Sequence, residues 1–161
     1  MTQKRRLIYQ INTARHAMMK SLDTGCQAAL DISVVQLSAL MVLHERNGCL
    51  MKELATALML DKSAVTGLAK RMQAKELITK VPCENDSRAS RMVMTEQGMQ
   101  KLKQGMPLLQ SVNAALTEGF SEEELQTVSR FLGHVTQVFS APLKTQASPQ
   151  TTFSTNTTKE N

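Results

Sequence analysis

The chain has 161 residues, of which 42% are hydrophobic and 20% charged, a composition typical of a globular protein with one core of ordinary size. No apolar run approaches the roughly 18 residues of a membrane span and no secretory signal is recognisable, so we expect no membrane contact. Three cysteines without C-x-x-C spacing indicate neither a disulfide framework nor a zinc site, which favours a reducing cytoplasm. The formal charge of +5 favours a polyanionic partner, provided that the charge is suitably located.

The first predicted helix spans roughly residues 4–22. Its apolar residues recur at helical spacing, at Leu7, Ile11, Met18 and Leu22. Gly25 is predicted to end the helix, because glycine adopts the left-handed conformation at little cost. The same stretch is basic, which is also compatible with a mitochondrial presequence. We favour the helix, because its apolar stripe can be used by the rest of the fold.

Three helices follow in quick succession. Ser33 and Gln36 have the spacing of a capping box, so the second helix is predicted to begin there and to end at Asn47 and Gly48. A short third helix covers residues 51–58. Asp61 is a good N-cap for a fourth helix that runs to about residue 75. Two helices joined by so short a turn cross each other, which is the arrangement of a helix-turn-helix.

A β-hairpin is predicted after the fourth helix. Residues 77–81 are rich in β-formers, residues 84–87 are a turn cluster, and residues 91–94 return as a second strand. Pro82 restricts the first strand to the edge of a sheet. A two-stranded ribbon is marginally stable by itself, so we expect it to pack on the helices.

Two further helices and a tail complete the chain. The fifth helix is predicted from Thr95, with a bend at Pro107, and the sixth from a capping box at Ser121 and Glu124. The sixth helix carries a regular apolar stripe, formed by Leu125, Val128, Leu132, Val135 and Phe139. Residues 141–161 contain little that could be buried and are predicted to be disordered.

The fourth helix has two chemically distinct faces. One is an apolar stripe of Val65, Leu68, Ala69 and Met72. The other combines short hydroxyls, a glycine and long cations, in Lys62, Ser63, Thr66, Gly67, Lys70 and Arg71. Small groups allow close approach and long cations can reach phosphates, so this face suits the major groove of double-stranded DNA. A solvated face without function is the alternative. The preceding helix and the arginines near the hairpin tip favour DNA.

Residues 37–98 resemble the MarR family of bacterial winged-helix regulators. The resemblance runs through the segments QLSALMVL, KELATALMLDKSAVTGLAKRMQAKELITK and NDSRASRMVMTEQG. The last segment contains the family's wing signature D-x-R-x-x-R as Asp86, Arg88 and Arg91, followed by its Thr-Glu-x-Gly helix start. Glu76 departs from the family pattern, which usually has glycine at that position, and this departure bears on the turn from helix to wing.

The resemblance implies a role for each residue of the interface. Arg88 would enter the minor groove at the wing tip, with Asp86 orienting its guanidinium group. Arg91 would support the wing or touch phosphate, and Arg71 would contact the DNA backbone. The major groove would be faced by Lys62, Ser63, Thr66, Gly67 and Lys70. A salt bridge between Asp86 and Arg91 that stabilises the wing without touching DNA is the alternative for those two residues.

The expected fold class is mainly α, a winged helix-turn-helix with a two-stranded β-wing, flanked by N- and C-terminal dimerisation helices. Residues 1–32 form the first dimerisation helix and a linker, residues 33–98 the DNA-binding domain, residues 99–140 the remaining dimerisation helices, and residues 141–161 the tail. The family's interleaved terminal helices imply a homodimer. The apolar stripes of the first and sixth helices favour it independently, because a monomer would expose them. A two-fold dimer predicts a pseudo-palindromic DNA site.

A trigger for DNA release is implied by the family, many of whose members respond to a small aromatic acid or to an oxidant. An adaptable apolar cavity could be lined by Met18, Met19 and Met41, with ordinary core filling as the alternative. Oxidation could act at Cys49 or Cys83, with buried structural cysteines as the alternative. No cofactor or metal is expected, because the cysteines, including Cys26, and the histidines lack ligand spacing.

Other functional classes find little support. The sequence contains no P-loop, no G-x-S-x-G and no H-E-x-x-H motif, so no enzyme is indicated. Aromatic residues make up only 3%, which argues against single-stranded nucleic acid, whose binding relies on stacking platforms. We therefore expect a transcriptional regulator that binds double-stranded DNA, a repressor relieved by a ligand or an oxidant. The remaining alternative is a winged-helix adaptor that contacts proteins without binding DNA.

Overall fold

The computed structural model describes residues 6–83 and 86–140, but not the side chains of residues 86–89. The chain is mainly helical with one small sheet, which confirms the predicted fold class. The elements in order are α1 (Leu7–Leu30), α2 (Val34–Glu45), β1 (Cys49–Leu50), α3 (Met51–Ala57), α4 (Lys62–Ala74), β2 (Ile78–Cys83), β3 (Asp86–Met94), α5 (Glu96–Thr117) and α6 (Glu122–Val138). The predicted tail, residues 141–161, lies outside the described residues.

The chain divides into two compact units between Leu116 and Thr117. The first unit holds the sheet and the helices from α1 to α5, apart from the last residue of α5. All buried apolar side chains of the described residues belong to this unit. The second unit contains α6, which begins at a capping box of Ser121 and Glu124 as predicted. No residue of α6 is buried, although every one of them is described.

The second helix forms the centre of the core. The capping box is present: the Ser33 hydroxyl accepts from the backbone N–H of Gln36 at 3.2 Å, and the side-chain oxygen Oε1 of Gln36 accepts from the Ser33 N–H at 2.8 Å. Ile32 and Leu37 on either side of this cap are both buried, as a hydrophobic staple requires. Asn47 and Gly48 then take positive φ values of 49° and 87° and end the helix as predicted.

The predicted end of the first helix is wrong. Instead of stopping at Gly25, α1 continues to Leu30 and ends at Asp31, whose φ is 56°. The extension buries Cys26 and Leu30, one turn apart on the same face, and their burial outweighs the poor helix propensity of glycine. A Cβ at Gly25 would lie 3.6 Å from Leu108, an ordinary contact.

The sheet has one strand more than predicted. β1 pairs antiparallel with β3, through Cys49 with Met92 and Leu50 with Arg91, so the strand order is β1-β3-β2. The two-stranded wing is therefore anchored to the helical body along one side. β2 lies at the open edge, as Pro82 predicted, and the register shifts between Pro82 and Cys83.

The connection from the wing to α5 depends on a close backbone contact. The Thr95 hydroxyl accepts from the Gly98 N–H at 3.1 Å and donates to the Glu76 carbonyl at 2.5 Å. A Cβ at Gly98 would overlap the Leu77 carbonyl oxygen. The Thr-Glu-x-Gly segment is therefore required by the packing of the α5 N-terminus on the start of β2.

Within residues 6–83 and 86–140, none of the helices is long and apolar enough to cross a membrane alone. Taken together, α1 and α2 would have the length and apolar composition of a membrane span, but the two helices meet at a bend of 78°.

Candidate nucleic-acid interface

A turn of four residues joins α3 to α4 and completes the helix-turn-helix. Met59 takes a left-handed φ of 53°, and the Leu60 N–H then donates back to the Ala55 carbonyl at 2.9 Å. Asp61 caps α4 as predicted, since its carboxylate accepts from the Ala64 N–H at 2.7 Å. This bond, together with those from Ser63, lowers the pKa of Asp61 below its ordinary value.

The apolar stripe of α4 fixes which way the helix faces. Val65, Leu68, Ala69 and Met72 are each no more than 1% exposed. A helix held by four buried side chains at helical spacing cannot rotate about its axis without exposing them. The polar stripe on the opposite side is therefore held outward by the core.

Five of the predicted interface residues lie together on this outward side. They line a shallow hollow on the surface of α4, formed by Lys62, Ser63, Thr66, Gly67 and Lys70. Lys62, Ser63 and Lys70 are exposed, whereas Thr66 and Gly67 are half-buried. Arg71 is exposed one residue further along, and its guanidinium group reaches back toward Gly67. The face is thus cationic at its borders and small and polar at its centre.

Both hydroxyls at the centre of this face make bonds within the helix. Ser63 Oγ donates to a carboxylate oxygen of Asp61 at 2.8 Å. Thr66 Oγ1 donates to the Lys62 carbonyl at 2.7 Å and has the Met51 sulfur 3.9 Å away. These bonds fix where the two oxygens point before any ligand arrives.

Gly67 differs from Gly98 and Gly105, the two closely packed helical glycines of the first unit. At Gly98 and Gly105 an added Cβ would collide with the Leu77 carbonyl and with Leu37, so packing demands glycine there. At Gly67 a Cβ would meet, among the residues that the structure describes, only the flexible end of Arg71, at 3.3 Å. Glycine in a helix interior costs about 1 kcal/mol relative to alanine. Among the described residues, no close contact at Gly67 accounts for this cost.

Of the two arginines predicted for the wing, Arg91 has a described side chain and Arg88 does not. Arg91 Nη2 donates to the Gly48 carbonyl at 2.7 Å, which ties β3 to the loop between α2 and β1. This contact is of the kind that wing support requires, and a phosphate contact of Arg91 stays a prediction. The side chains of Asp86 and Arg88 lie outside the described residues, although their backbone belongs to β3.

The departure at Glu76 does not disrupt the turn from α4 to the wing. Glu76 adopts a left-handed φ of 54°, the conformation that glycine takes most easily. Its N–H donates to the Gln73 carbonyl at 2.9 Å, and its own carbonyl accepts from Thr95. The turn is therefore retained with a glutamate in it, at the cost of backbone strain.

The cysteines differ in accessibility. Cys26 and Cys49 are buried and free, and Cys83 is partly exposed and free. Burial, followed by the nearby carboxylates of Asp23 and Glu53, raises the pKa of the Cys26 and Cys49 thiols. A raised pKa lowers the thiolate fraction, so these two have the character of structural cysteines. Among the described side chains, no three His, Cys, Asp or Glu residues are grouped so as to hold a metal ion.

A second concavity lies beside the interface, between α1, the start of α2 and α4. Its volume is about 740 Å³. Apolar and charged groups share its wall, chiefly Arg15, His16, Met19, Lys20, Asp23, Val34, Leu60, Ser63, Gly67, Leu68 and Arg71. Of the three methionines expected near a cavity, Met19 lines this cleft, while Met41 packs against the core.

The sequence did not indicate the residues that tie α1 to the C-terminal end of α4. Lys75 Nζ lies 2.9 Å from a carboxylate oxygen of Asp31 and also donates to the Asp31 carbonyl. This contact lowers the pKa of Asp31. The pair is 44 residues apart in the chain, and no spacing rule could have found it. The cleft residues Arg15 and Asp23 were missed for the same reason.

Known proteins match both the sequence and the fold. Residues 30–89 match the model of the MarR family. The HTH-type transcriptional regulator YybA of Bacillus subtilis, itself uncharacterised, is 28% identical over 66% of this chain and 71% of its own length. The HTH-type transcriptional repressor IacR of Pseudomonas putida is 23% identical over 64% of this chain, which spans only 62% of that protein.

Solved structures show the same fold. Sco3205 of Streptomyces coelicolor, a MarR family transcriptional regulator in complex with DNA, has a TM-score of 0.78 at 19% identity, covering 88% of this chain and 91% of its own. The S. aureus MepR–DNA complex has a TM-score of 0.76 at 21% identity, covering 81% and 96%. Residues 30–89, which match the family model, include the helix-turn-helix, the outward face of α4 and the whole of β2. The family match over residues 30–89, the curated relatives and the shared fold together support a winged-helix regulator of the MarR family.

Proposed function

We propose that the chain binds double-stranded DNA sequence-specifically as a homodimer and represses transcription until a small aromatic acid releases it. One observation carries the proposal: α4 buries four apolar residues and so turns Lys62, Ser63, Thr66, Gly67 and Lys70 outward as one surface. A surface with small groups at the centre and cations at the border fits a major groove between two rows of phosphates. The DNA complexes of Sco3205 and MepR support this use of the fold.

The wing supplies the second part of the proposed interface. Arg88 lies on β3 close to the hairpin turn, and we propose that it enters the minor groove with Asp86 as its partner. The bond from Arg91 to Gly48 supports this role indirectly, because it anchors the strand that would carry Arg88. Arg71, next to the α4 face, would contact the DNA backbone.

Dimerisation is proposed from the surface of α6 and the start of α1. The α6 stripe is left open, with Val128, Leu132 and Phe139 exposed by 46%, 49% and 55%. Leu7 and Ile8 at the start of α1 are also exposed. Exposed apolar stripes at helical spacing favour association with another helix, and a second copy of the chain offers the same stripes. A symmetric dimer would present two α4 faces to two half-sites about one helical turn apart.

The effector is proposed to bind in the cleft between α1 and α4. Arg15, Lys20 and Arg71 supply positive charge there, and Met19 and Leu68 supply an apolar wall, a combination that suits an aromatic carboxylate. Ser63 and Gly67 line both this cleft and the outward hollow. A ligand in the cleft would therefore touch residues of the DNA-binding face.

Salt dependence provides the first test. The full chain is titrated into a duplex from its own upstream region at several salt concentrations. The logarithm of the binding constant should fall with the logarithm of the salt concentration with a slope of about 7, if about eight phosphates per dimer are neutralised. Lys70→Gln should reduce the slope by about 1 per lost phosphate contact. Lys103→Gln, an exposed lysine on α5, is the matched control and should leave the slope unchanged. Arg88→Ala should cost about 1 to 3 kcal/mol of binding.

The alternative function predicts a different outcome. If affinity changes with neither salt nor Arg88→Ala, the protein adaptor is favoured over the DNA-binding regulator. The dimer is tested separately by mass measurement in dilute solution, where Leu132→Glu should shift the protein toward the monomer.

The effector is tested by adding benzoate and its hydroxylated derivatives to the DNA complex. We expect release by at least one of them, and we expect Arg15→Gln to abolish the release without altering DNA affinity, because Arg15 lines the cleft and not the outward face. Release that persists unchanged in Arg15→Gln would place the effector elsewhere. Peroxide, added in a parallel titration, tests the oxidant alternative.

A further inference from the structure

We propose that Ser63 and Thr66 act only as hydrogen-bond acceptors toward DNA, so that they select the exocyclic amino groups of adenine and cytosine in the major groove. The inference rests on the proposed DNA binding and specifies what the centre of the α4 face recognises. It follows from where the two hydroxyl protons go in the folded chain.

The proton of Ser63 is used inside the helix cap. Its oxygen lies 2.8 Å from a carboxylate oxygen of Asp61, and an ionised carboxylate can only accept. The lowered pKa of Asp61 keeps that carboxylate ionised at neutral pH. Ser63 must therefore donate its single proton to Asp61, which leaves only lone pairs for an external partner.

The proton of Thr66 is used in the same way. The Lys62 carbonyl lies 2.7 Å away and can only accept. The other neighbour, the Met51 sulfur at 3.9 Å, is also an acceptor and a weaker one. Whichever of the two takes the proton, Thr66 presents only lone pairs outward.

The centre and the border of the face thus have opposite hydrogen-bonding character. Lys62 and Lys70 carry only donors, and they flank two groups that only accept. Gly67 lies between Lys70 and these hydroxyls in the sequence, and among the described residues a Cβ there would meet the flexible end of Arg71 at 3.3 Å. Its missing side chain would let the base edges come within reach of the two oxygens.

This pattern determines which base atoms can be contacted. In the major groove the donors are the amino groups of adenine and cytosine, while N7, O6 and O4 are acceptors. Ser63 and Thr66 would be repelled by the acceptor atoms and attracted by the amino groups. Since each base pair carries one such amino group, on one strand only, the contact specifies the orientation of the pair.

Base analogues in the bound site test the inference. The full chain first selects its site from a library of random duplexes, and single bases of the selected half-site are then replaced. Purine lacks the amino group of adenine, and 2-pyrimidinone lacks that of cytosine, whereas 7-deazaadenine keeps the amino group and loses N7. Each duplex is titrated with the wild type, Ser63→Ala, Thr66→Val and Thr66→Ser.

We expect removal of an amino group at one or two positions to weaken wild-type binding by about 3- to 10-fold, the effect of one lost hydrogen bond. At a position contacted by Thr66, Thr66→Val should lose this sensitivity and Thr66→Ser should keep it, because serine retains the oxygen. The 7-deaza analogue should have no effect there. The inference would be overturned if loss of N7 weakened binding by the wild type and this effect disappeared in Ser63→Ala or Thr66→Val. It would also be overturned if removal of an amino group weakened binding equally in the wild type and in both variants. Either result would leave DNA binding itself intact. Binding to no duplex at all would overturn the proposed function together with this inference.

Discussion

Replacement of Gly67 by alanine should change stability and DNA affinity in opposite directions. Alanine is the better helix former by about 1 kcal/mol. The new Cβ would meet only the flexible end of Arg71, at 3.3 Å, so the folded chain can accept it with a small movement of that side chain. We expect the free energy of unfolding to rise by roughly 0.5 to 1 kcal/mol, which raises Tm by about 2 to 4 °C per kcal/mol for a chain of this size.

The same methyl group should weaken DNA binding. It projects from the centre of the outward face, where the helix surface would approach the base edges. Extra volume in a closely fitted interface costs about 1 to 3 kcal/mol. This corresponds to roughly 5- to 150-fold in affinity. Urea unfolding measures the first effect, and titration of a fluorescent duplex at fixed salt measures the second.

Gly25→Ala is the matched control. Gly25 also lies inside a helix, and its added Cβ would make ordinary contact with Leu108 at 3.6 Å. It should raise stability by a similar amount without changing DNA affinity. If Gly67→Ala binds DNA as well as Gly25→Ala does, the reasoning that assigns Gly67 to close approach is refuted.

Three further predictions concern the cap of α4, the wing and the cysteines. Because the folded-state pKa of Asp61 is lowered, its contribution to stability should be present above the unfolded value of about 4 and be lost as the pH falls through the folded value. Asp61→Asn keeps a capping oxygen but does not titrate, so the stability of this variant in urea should lack this part of the acid dependence. The same acid dependence in the variant and the wild type would contradict the prediction. Arg91→Ala should destabilise the fold by about 1 to 3 kcal/mol, because the carbonyl of the buried Gly48 loses a charge-assisted bond. Unchanged urea unfolding would mean that the bond contributes nothing. Alkylation of the native chain, followed by mass spectrometry, should modify Cys83 well before Cys26 and Cys49, since the latter two are buried and have raised pKa values. Equal rates of alkylation would mean that the buried thiols are accessible enough to react with an oxidant.

Local capping signals predicted the helix starts correctly. Ser33, Asp61 and Ser121 each accept from a backbone N–H three residues later, as their spacing indicated. Such bonds involve neighbours in the chain, so the sequence contains all the information that they need. The apolar stripe of α4 was predicted for a similar reason, and with it the outward direction of the opposite face.

Contacts between distant segments could not be predicted in this way. Gly25 is a plausible helix end by its local preference, yet the burial of Cys26 and Leu30 extends α1 beyond it. β1 has only two residues and exists because it pairs with β3, some forty residues later. The ion pair of Asp31 with Lys75 likewise depends on the packing of α1 beside α4. Each of these features arises from tertiary packing, to which local propensity gives way.

The position of the cleft explains how a small ligand could compete with DNA without a large movement. Ser63 and Gly67 are shared between the outward hollow and the cleft beside α1, so both proposed partners act on the same turn of α4. Linkage between two binding events is reciprocal: an effector that weakens DNA binding about 100-fold is itself bound about 100-fold more weakly by the DNA complex. If both proposals hold, a larger side chain at Ser63 or Gly67 should alter both the DNA and the effector equilibrium, because the two residues line both surfaces.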